Sequence, residues 1–359
     1  MKIIELTYAL TSGGGERLLV DLSNELCNQN DVTIVQILSN DNPANAHYLP
    51  DVDSRIKYIN LNSNKGLSWK VLYSVYRTIK NVKPDVVHIH CSLLTVALSA
   101  VLYKKPKYYH TLHSLAQRCV KPQQLSFIYK YLYKNHVQPI TISQVCHKSY
   151  EDLFHLGNDV MITNGRSQIV QSKMVETVKA EMESFKEHAD DKIFIHIARL
   201  HPVKNHELLF ETFDRLIKEG EHIQLVVIGS GYETSPFAEY NNHKGIHILG
   251  EKRDVGDYLA ASDYFVMSSK MEGLPISLLE AMSMGVVPVS TPAGGVCDVI
   301  RNCENGYISF SHSSEDYYKT IKDAIANVGG VTSKQIIEEY KEKYSMIACA
   351  KAYTEEFKK

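Results

Sequence analysis

The chain has 359 residues, 39 Lys and Arg against 41 Asp and Glu, and a formal charge of −2 with histidine neutral. That length predicts two domains, each able to bury its own core, while 44% hydrophobic and 22% charged residues exclude wholesale disorder. The even charge balance excludes a chain-wide polyanion binder, and seven cysteines without a Cys-x-x-Cys pair argue against a disulfide framework or a zinc site and fit a reducing cytoplasm.

The opening Met-Lys-Ile-Ile-Glu-Leu reads as a strand over 2–6, since Glu5 interrupts the apolar run and argues against a signal peptide. Helical spacing follows over 16–28 through Leu18, Leu22 and Leu26, then a strand over 32–38. A second helix is expected over 68–82, with Trp69, Leu72, Tyr76 and Ile79 on one face, before strands over 86–90 and 107–112. The longest apolar stretch, 93–103, falls short of the roughly 20 residues that cross a bilayer, so a soluble protein, or one resting on a membrane, is expected.

A polar, charge-dense stretch over 168–191 separates this half from a second alternation. There, strands are expected over 193–198, 224–228, 246–249, 264–267 and 286–289, with a helix over 205–219 carrying Leu209, Phe213 and Leu216. Strand-then-helix repetition implies parallel sheets with helical crossovers. The predicted architecture is α/β, two facing Rossmann-like doubly wound domains. Ligands of such sheets sit beyond the carboxyl ends of the strands, so the strand-to-helix loops should hold the function.

Five loops stand out. Thr11-Ser-Gly-Gly-Gly-Glu-Arg17 lets backbone N–H groups approach an anion at a helix N-terminus, yet it is neither a dinucleotide fingerprint nor a P-loop. The plain alternative is a tight turn. Arg199-Leu-His-Pro-Val-Lys204 sets two cations beside a helix N-terminus, with Asn205 expected as its N-cap. Such a pair makes a diphosphate clamp, in which Arg chelates oxygens and Lys acts as a point charge; otherwise it is solvated surface charge. The most specific loop is Glu272-Gly-Leu-Pro-Ile-Ser-Leu-Leu-Glu280, which places one carboxylate at a strand end and another about a turn inside the helix opened near Pro275. Free N–H groups from Gly273 to Ser277 lie between them, an arrangement suited to a sugar joined to a nucleoside diphosphate. Thr291-Pro-Ala-Gly-Gly295 is a further glycine turn.

The fifth loop bears histidines: Asp85-Val-Val-His88-Ile-His90 and His110-Thr-Leu-His113. His88 and His90 share a strand face by alternation. A metal site is weighed and set aside, because acidic partners and metal-motif spacing are missing from this pattern. Core hydrogen bonding is expected for His88 and His90, and a substrate contact for His113.

Together these residues resemble a GT-B fold retaining glycosyltransferase of the family 4 type, over nearly the whole chain from Gly13–Arg17 to Gly294-Gly295 and including Asn164-Gly165. The resemblance implies an N-terminal acceptor-side domain over 1–165, with a crossover helix at about 344–359, and a donor-binding domain over 166–343. It implies that Arg199 and Lys204 hold the donor diphosphate, that Glu272 contacts the transferred sugar, and that Glu280 binds the ribose. Gly273, Leu274, Pro275, Ile276 and Ser277 would contact sugar and phosphate through their backbone, and the base would lie near Gly250–Arg253, including Glu251. His113 would lie near the reaction centre, and Gly13, Gly14 and Gly15 on the acceptor side. Ala198, where a glycine is common, and Gly231-Tyr232, where Gly-Pro is common, are departures near the base pocket.

Retaining transfer from a UDP- or GDP-sugar to a saccharide or lipid-linked acceptor follows from the resemblance, in cell-envelope polysaccharide or glycolipid synthesis. Same-face attack assisted by the leaving phosphate is favoured over a covalent Glu272 intermediate. With two cations and a helix terminus available, and no Asp-x-Asp motif, no metal or other cofactor is required by this reading. Residues 86–150 contain no Asp or Glu but eight basic residues, Lys104, Lys105, Lys107, Arg118, Lys121, Lys130, Lys134 and Lys148. Tyr103, Tyr108, Tyr109, Phe127, Tyr129, Tyr131 and Tyr133 interleave with them, a pattern that fits peripheral docking on the anionic cytoplasmic membrane face; no nucleic-acid motif accompanies it. The rival readings are a nucleotide-sugar epimerase on the same fold and a non-catalytic sugar-nucleotide-binding subunit.

Overall fold

The computed structural model describes residues 1–64, 66–120, 123–232 and 235–359. The chain divides into two compact units, Met1–Ser167 with Met346–Lys359, and Gln168–Ser345. The first unit begins with β1 (Lys2–Thr7), α1 (Gly14–Leu26), β2 (Asp31–Leu38), β3 (Lys57–Ser63), α2 (Trp69–Val82) and β4 (Val86–Ile89). It continues with α3 (Ala97–Leu102), β5 (Lys107–Leu112), α4 (Ala116–Cys119), α5 (Ser126–Asn135), β6 (Gln138–Thr141), α6 (Gln144–Phe154) and β7 (Val160–Met161).

Its strands form one parallel sheet in the order β3-β2-β1-β4-β5-β6-β7. Alternation along the strands builds two apolar layers. Ile4, Leu6, Val87 and Ile89 face Val71, Val75 and Ile79 of α2, Leu132 of α5 and Tyr150 of α6. On the other side Ile3, Val86, Tyr109 and Ile140 meet Leu18, Leu22 and Leu26 of α1. Ser68 and Ser143 cap α2 and α6 by accepting the N–H groups of Val71 and Cys146, and left-handed Lys83 and His155 end those helices.

The second unit contains α7 (Val175–Ser184), β8 (Lys192–Ile197), α8 (His206–Lys218), β9 (Ile223–Ile228), β10 (Ile246–Gly250) and α9 (Val255–Ala260). Then come β11 (Tyr264–Met267), α10 (Ile276–Ser283), β12 (Val287–Ser290), β13 (Tyr307–Ile308), α11 (Ser314–Ile325) and α12 (Ser333–Glu339). Six parallel strands follow the order β10-β9-β8-β11-β12-β13. The chain leaves β8 toward one edge and returns through β11 on its other side. That reversal opens a crevice at the carboxyl ends of β8 and β11.

The final helix, α13 (Met346–Lys358), belongs to the first unit. Met346, Cys349, Ala350, Tyr353 and Phe357 complete the α1 layer, and the backbone carbonyl of Glu356 accepts from the Tyr109 hydroxyl at 3.0 Å.

Several elements depart from the sequence expectation. The polar stretch 168–191 holds α7, which buries only Val178 and Met182. β3 was not expected, since none of its residues is fully buried, and β6 was not expected because it is four residues long and contains a proline. Asn205 does not cap α8 with its side chain. Instead, His201 Nδ1 accepts the Val203 N–H at 3.2 Å at a 3-10 turn, and Asn205 adopts φ +54° to turn the chain into the helix.

Candidate active site

The loops after β8 and β11 are laced together by backbone chemistry. Lys270 N–H donates to the Val203 carbonyl at 2.8 Å, and the Ser268 hydroxyl donates to the Lys204 carbonyl at 2.8 Å. These ties bring the ammonium of Lys204 to 2.7 Å from Glu272 Oε1, with both side chains partly accessible. The glycine turn after β12 joins them, since Gly295 N–H donates to the Glu272 carbonyl at 3.1 Å. Gly294 has φ +61°, and a Cβ there would meet the Glu272 carbonyl and lie 2.9 Å from Met271 Sδ. Only glycine fits that approach.

The Gly-Leu-Pro segment enters α10 with Pro275 at the N-cap, one residue ahead of the first turn, and no side chain caps the helix. Its first N–H groups, at Ile276 and Ser277, are therefore available to an anion. Leu274 and Pro275 are buried, whereas Gly273, Ile276 and Ser277 are half-buried. Glu280 lies in the second turn of α10, also half-buried.

Arg199 is exposed directly beyond β8, and among the described residues none pairs with its guanidinium. A residue that sequence reading had placed only as a departure supports it. Tyr232, fully buried, donates its hydroxyl to the Ala198 carbonyl at 2.9 Å and accepts from His206 Nε2 at 2.7 Å. Burial, with Lys204 and His201 nearby, brings His206 down to about 4, so its ring is neutral at pH 7. Glu251 is exposed beyond β10, two strands from β8 and so about 10 Å across the sheet. It does not join the Lys204–Glu272 cluster.

In the first unit the glycine turn is not an open anion cradle. Glu16 folds back over it: a Cβ at Gly13 would collide with the Glu16 carboxylate, which accepts from its own N–H and from Thr11. Burial nevertheless holds that carboxyl above its usual range. The Glu16 carboxyl thus occupies the α1 terminus. Arg17 is committed to Asp21 and Asp51.

The histidines converge as expected, but their acidic partner had been missed. Parallel pairing of β1 with β4 sets Glu5 opposite His88. Glu5 Oε2 lies 2.8 Å from His88 Nδ1 and 2.7 Å from His90 Nε2, and all three side chains are buried. Burial alone would raise the Glu5 carboxyl, but His88 and the hydrogen bonds from both rings bring it down to about 2. His88 Nε2 pairs with the Thr111 hydroxyl at 2.8 Å, which pairs in turn with Tyr353 at 3.0 Å. His90 Nδ1 lies 2.9 Å from His113 Nε2, and the two rings stack. Gly15 packs on the outer side of His113, where a Cβ would come within 3.3 Å of the ring.

The basic and aromatic residues of 86–150 are only partly on the surface. Tyr108, Tyr109, Tyr129 and Tyr133 are core residues, because alternation in β5 and helical spacing in α5 turn them inward. Phe127 and Tyr131 remain exposed at 66% and 52%. Lys104, Lys105, Lys107, Arg118, Lys134 and Lys148 are exposed, Lys130 is half-buried, and Lys121 lies outside the described residues. The face expected for α2 is corrected: Val71, Val75 and Ile79 are buried, whereas Trp69 is 82% exposed beside Tyr73 at 58%, and Leu102 of α3, not considered from the sequence, is exposed at 63%. No helix among the described residues is long and apolar enough to cross a membrane.

Two doubly wound parallel-sheet units, with a lysine and a carboxylate paired at the sheet reversal of the second, define an α/β class of protein, and comparison with known proteins makes the assignment. The chain belongs to the family described as glycosyl transferases group 1, matched over residues 178–357, and residues 12–165 match glycosyltransferase family 4. It is 27% identical over 266 residues to the UDP-Gal:alpha-D-GlcNAc-diphosphoundecaprenol alpha-1,3-galactosyltransferase of Escherichia coli, covering 67% of this chain and 66% of that one. The chain spans just under two thirds of the length of the curated relatives it matches first. HepE from Anabaena, solved with UDP, superposes with a TM-score of 0.80 at 15% identity, covering all of both chains. A glycosyltransferase from Rickettsia africae gives 0.80 at 17% identity over 99% of this chain and 97% of that one. The fold is GT-B.

Proposed function

We propose that the chain is a retaining glycosyltransferase that moves a sugar from a UDP- or GDP-sugar to a saccharide or lipid-linked acceptor. The observation that carries this reading is the meeting of Lys204 and Glu272 at 2.7 Å, beside the uncapped start of α10. A diphosphate held by Lys204, Arg199 and the α10 N–H groups brings its sugar within reach of Glu272, because one glycosidic oxygen separates the two moieties. Glu280 takes the ribose hydroxyls, and Glu251 lies toward the base. The 168–345 unit is thus the donor-binding one. The 1–167 unit supplies the acceptor side through Gly13, Gly14 and Gly15, and His113 as a catalytic contact.

In the proposed reaction the bond from the anomeric carbon to the diphosphate breaks, and its electron pair leaves with the phosphate. The acceptor oxygen attacks the same face, and its proton passes to the departing phosphate oxygen. Arg199, Lys204 and the helix N–H groups stabilise the growing negative charge without reorganising, so the step needs no divalent ion. Lipid linkage is supported by the E. coli relative, whose name specifies a diphosphoundecaprenol acceptor. Peripheral docking on the cytoplasmic face of an anionic membrane is supported by Trp69, Tyr73, Leu102, Phe127 and Tyr131 amid exposed lysines, on helices that share one apolar layer.

The test is a melting-temperature screen against UDP-, GDP- and ADP-sugars, followed by product analysis with the stabilising donor. Stabilisation by one nucleotide sugar and a product of unchanged anomeric configuration are expected. An inverted product would refute retention, conversion of donor alone would favour an epimerase, and binding without transfer to any acceptor a non-catalytic subunit.

A further inference from the structure

The histidine cluster has a property that the donor site does not explain: its hydrogen bonds admit one direction. Glu5 is ionised, so Oε2 must accept, and His90 Nε2 must carry the proton it donates at 2.7 Å. Burial beside His88 brings His90 down to about 4 despite the Glu5 contact, so the ring is neutral at pH 7 and its Nδ1 is a lone pair. That lone pair accepts at 2.9 Å, which obliges His113 Nε2 to donate. Burial first, and then His90, His88 and His110, hold His113 far below the usual histidine range, so it too is neutral. Its Nδ1 is left as an acceptor, covered by protein and without a partner among the described residues. The other groups facing the cluster, His110, Tyr133, Thr111 and Tyr353, are engaged with one another or with His88, so none competes for that nitrogen.

We propose that Glu5 is a positioning residue which, acting through His90, fixes His113 in its Nε2–H form and so presents Nδ1 as a hydrogen-bond acceptor for a hydroxyl of the bound sugar substrate. This rests on the reading of His113 as part of the active site. Leaving a buried acceptor without a partner costs stability, which a ligand hydroxyl recovers on binding. An imidazolium or an Nδ1–H ring would instead donate, and a hydroxyl there would have to turn its lone pair to the ring and give up donating to it. A metal held by Glu5, His88 and His90 is a poorer account of the same three side chains. The Glu5 oxygen stands at hydrogen-bond distances of 2.8 and 2.7 Å from the two nitrogens, which are 3.1 Å from each other, whereas ligands at about 2.0–2.1 Å from a tetrahedral ion are about 3.3 Å apart.

The experiment is a long-range 15N–1H correlation spectrum of the histidine rings in the full chain, with His113 assigned by its loss in His113→Gln. The expected result at pH 7 is a neutral His113 protonated at Nε2. In Glu5→Gln, whose neutral oxygen is a weaker acceptor and whose amide can turn its NH2 group toward His90 Nε2, a mixture of tautomers is expected. The same variant should lose about 10- to 100-fold in kcat, with KM for the donor within about twofold. Adding Glu5→Gln to His113→Ala should then cost nothing further. An Nδ1-protonated His113 in the wild-type protein would overturn the proposal even if Glu5→Gln does not fold. So would an unchanged tautomer in Glu5→Gln, fully multiplicative losses in the double variant, or one equivalent of zinc that chelation removes along with the His113 signal pattern. Wild-type turnover by His113→Ala would instead sink the placement of His113 in the active site, leaving the tautomer result standing.

Discussion

Lys204 Nζ and Glu272 Oε1 lie 2.7 Å apart although 68 residues separate them, and each belongs to a loop on a different side of the same sheet reversal. In the free protein each is the other's counterion. On the proposed reading, donor binding exchanges this contact for phosphate on one partner and sugar hydroxyls on the other. The pair is poised for that exchange because its members are partly accessible, at 23% and 13%.

Lys204→Ala and Glu272→Ala are each expected to lower kcat by about 10²- to 10³-fold or more, as removal of one preorganised charge does. Folding should be nearly unaffected, since a partly solvated ion pair contributes about 1 kcal/mol or less. Steady-state kinetics beside thermal denaturation checks both halves. A variant that keeps its turnover removes its residue from the mechanism.

Gly294→Ala is expected to cost about 1–3 kcal/mol and to impair turnover more than that loss implies. Its Cβ, forced into a left-handed backbone at φ +61°, meets the Glu272 carbonyl and displaces the carboxylate's own residue. Gly220→Ala is the control, because that glycine has φ +88° but open space around it. It should show backbone strain of about 1 kcal/mol with normal kinetics. Urea melts and kcat for the two variants separate strain from site damage.

Stability is expected to fall as pH drops from about 7 to about 4. Burial holds His90 and His206 at about 4 and His110 and His196 at about 3, whereas the unfolded rings titrate near 6.5. Across that window the unfolded chain binds more protons, so each such ring removes about 1.4 kcal/mol per pH unit below 6.5. Glu5, depressed to about 2, acts in the same direction below its unfolded value of 4.5. Denaturant midpoints at pH 7, 6 and 5 should decline steadily, and a flat profile would exclude neutral buried rings. His196→Gln, which removes one of them, should make the decline shallower.

Trp69 is the sole tryptophan of the chain and is 82% exposed, so its emission reports directly on the α2 surface. Vesicles containing phosphatidylserine are expected to shift it to the blue, and raised salt to reverse the shift. Neutral vesicles should leave it unchanged. Equal shifts on both would discount the lysines, and no shift on either would discount membrane docking.

The placement of Arg199, Lys204, Glu272 and Glu280 was legible because it is written locally, at a fixed offset from a strand end and a helix start. Tyr232 and Glu5 were not. Tyr232 acts across β8 and β9, on a carbonyl 34 residues away. Glu5 looked like a polar interruption of an apolar strand, and its meaning depends on the register that sets it against His88, 83 residues further on. The aromatic run of 86–150 misled for a related reason. A tyrosine can be amphipathic surface or core, and only the helix phase of α5 decides that Tyr129 and Tyr133 turn inward while Tyr131 does not.

The closing of the α1 layer by α13 sets a timetable for the newborn polypeptide. Leu18, Leu22 and Leu26 emerge early from the ribosome, but Met346, Tyr353 and Phe357, which shield them, come last. At about 5–20 residues per second, the 178 positions between Ser167 and Met346 take roughly 10–40 s to translate. Throughout that interval the leading half waits with a greasy seam uncovered, while the trailing half can already fold.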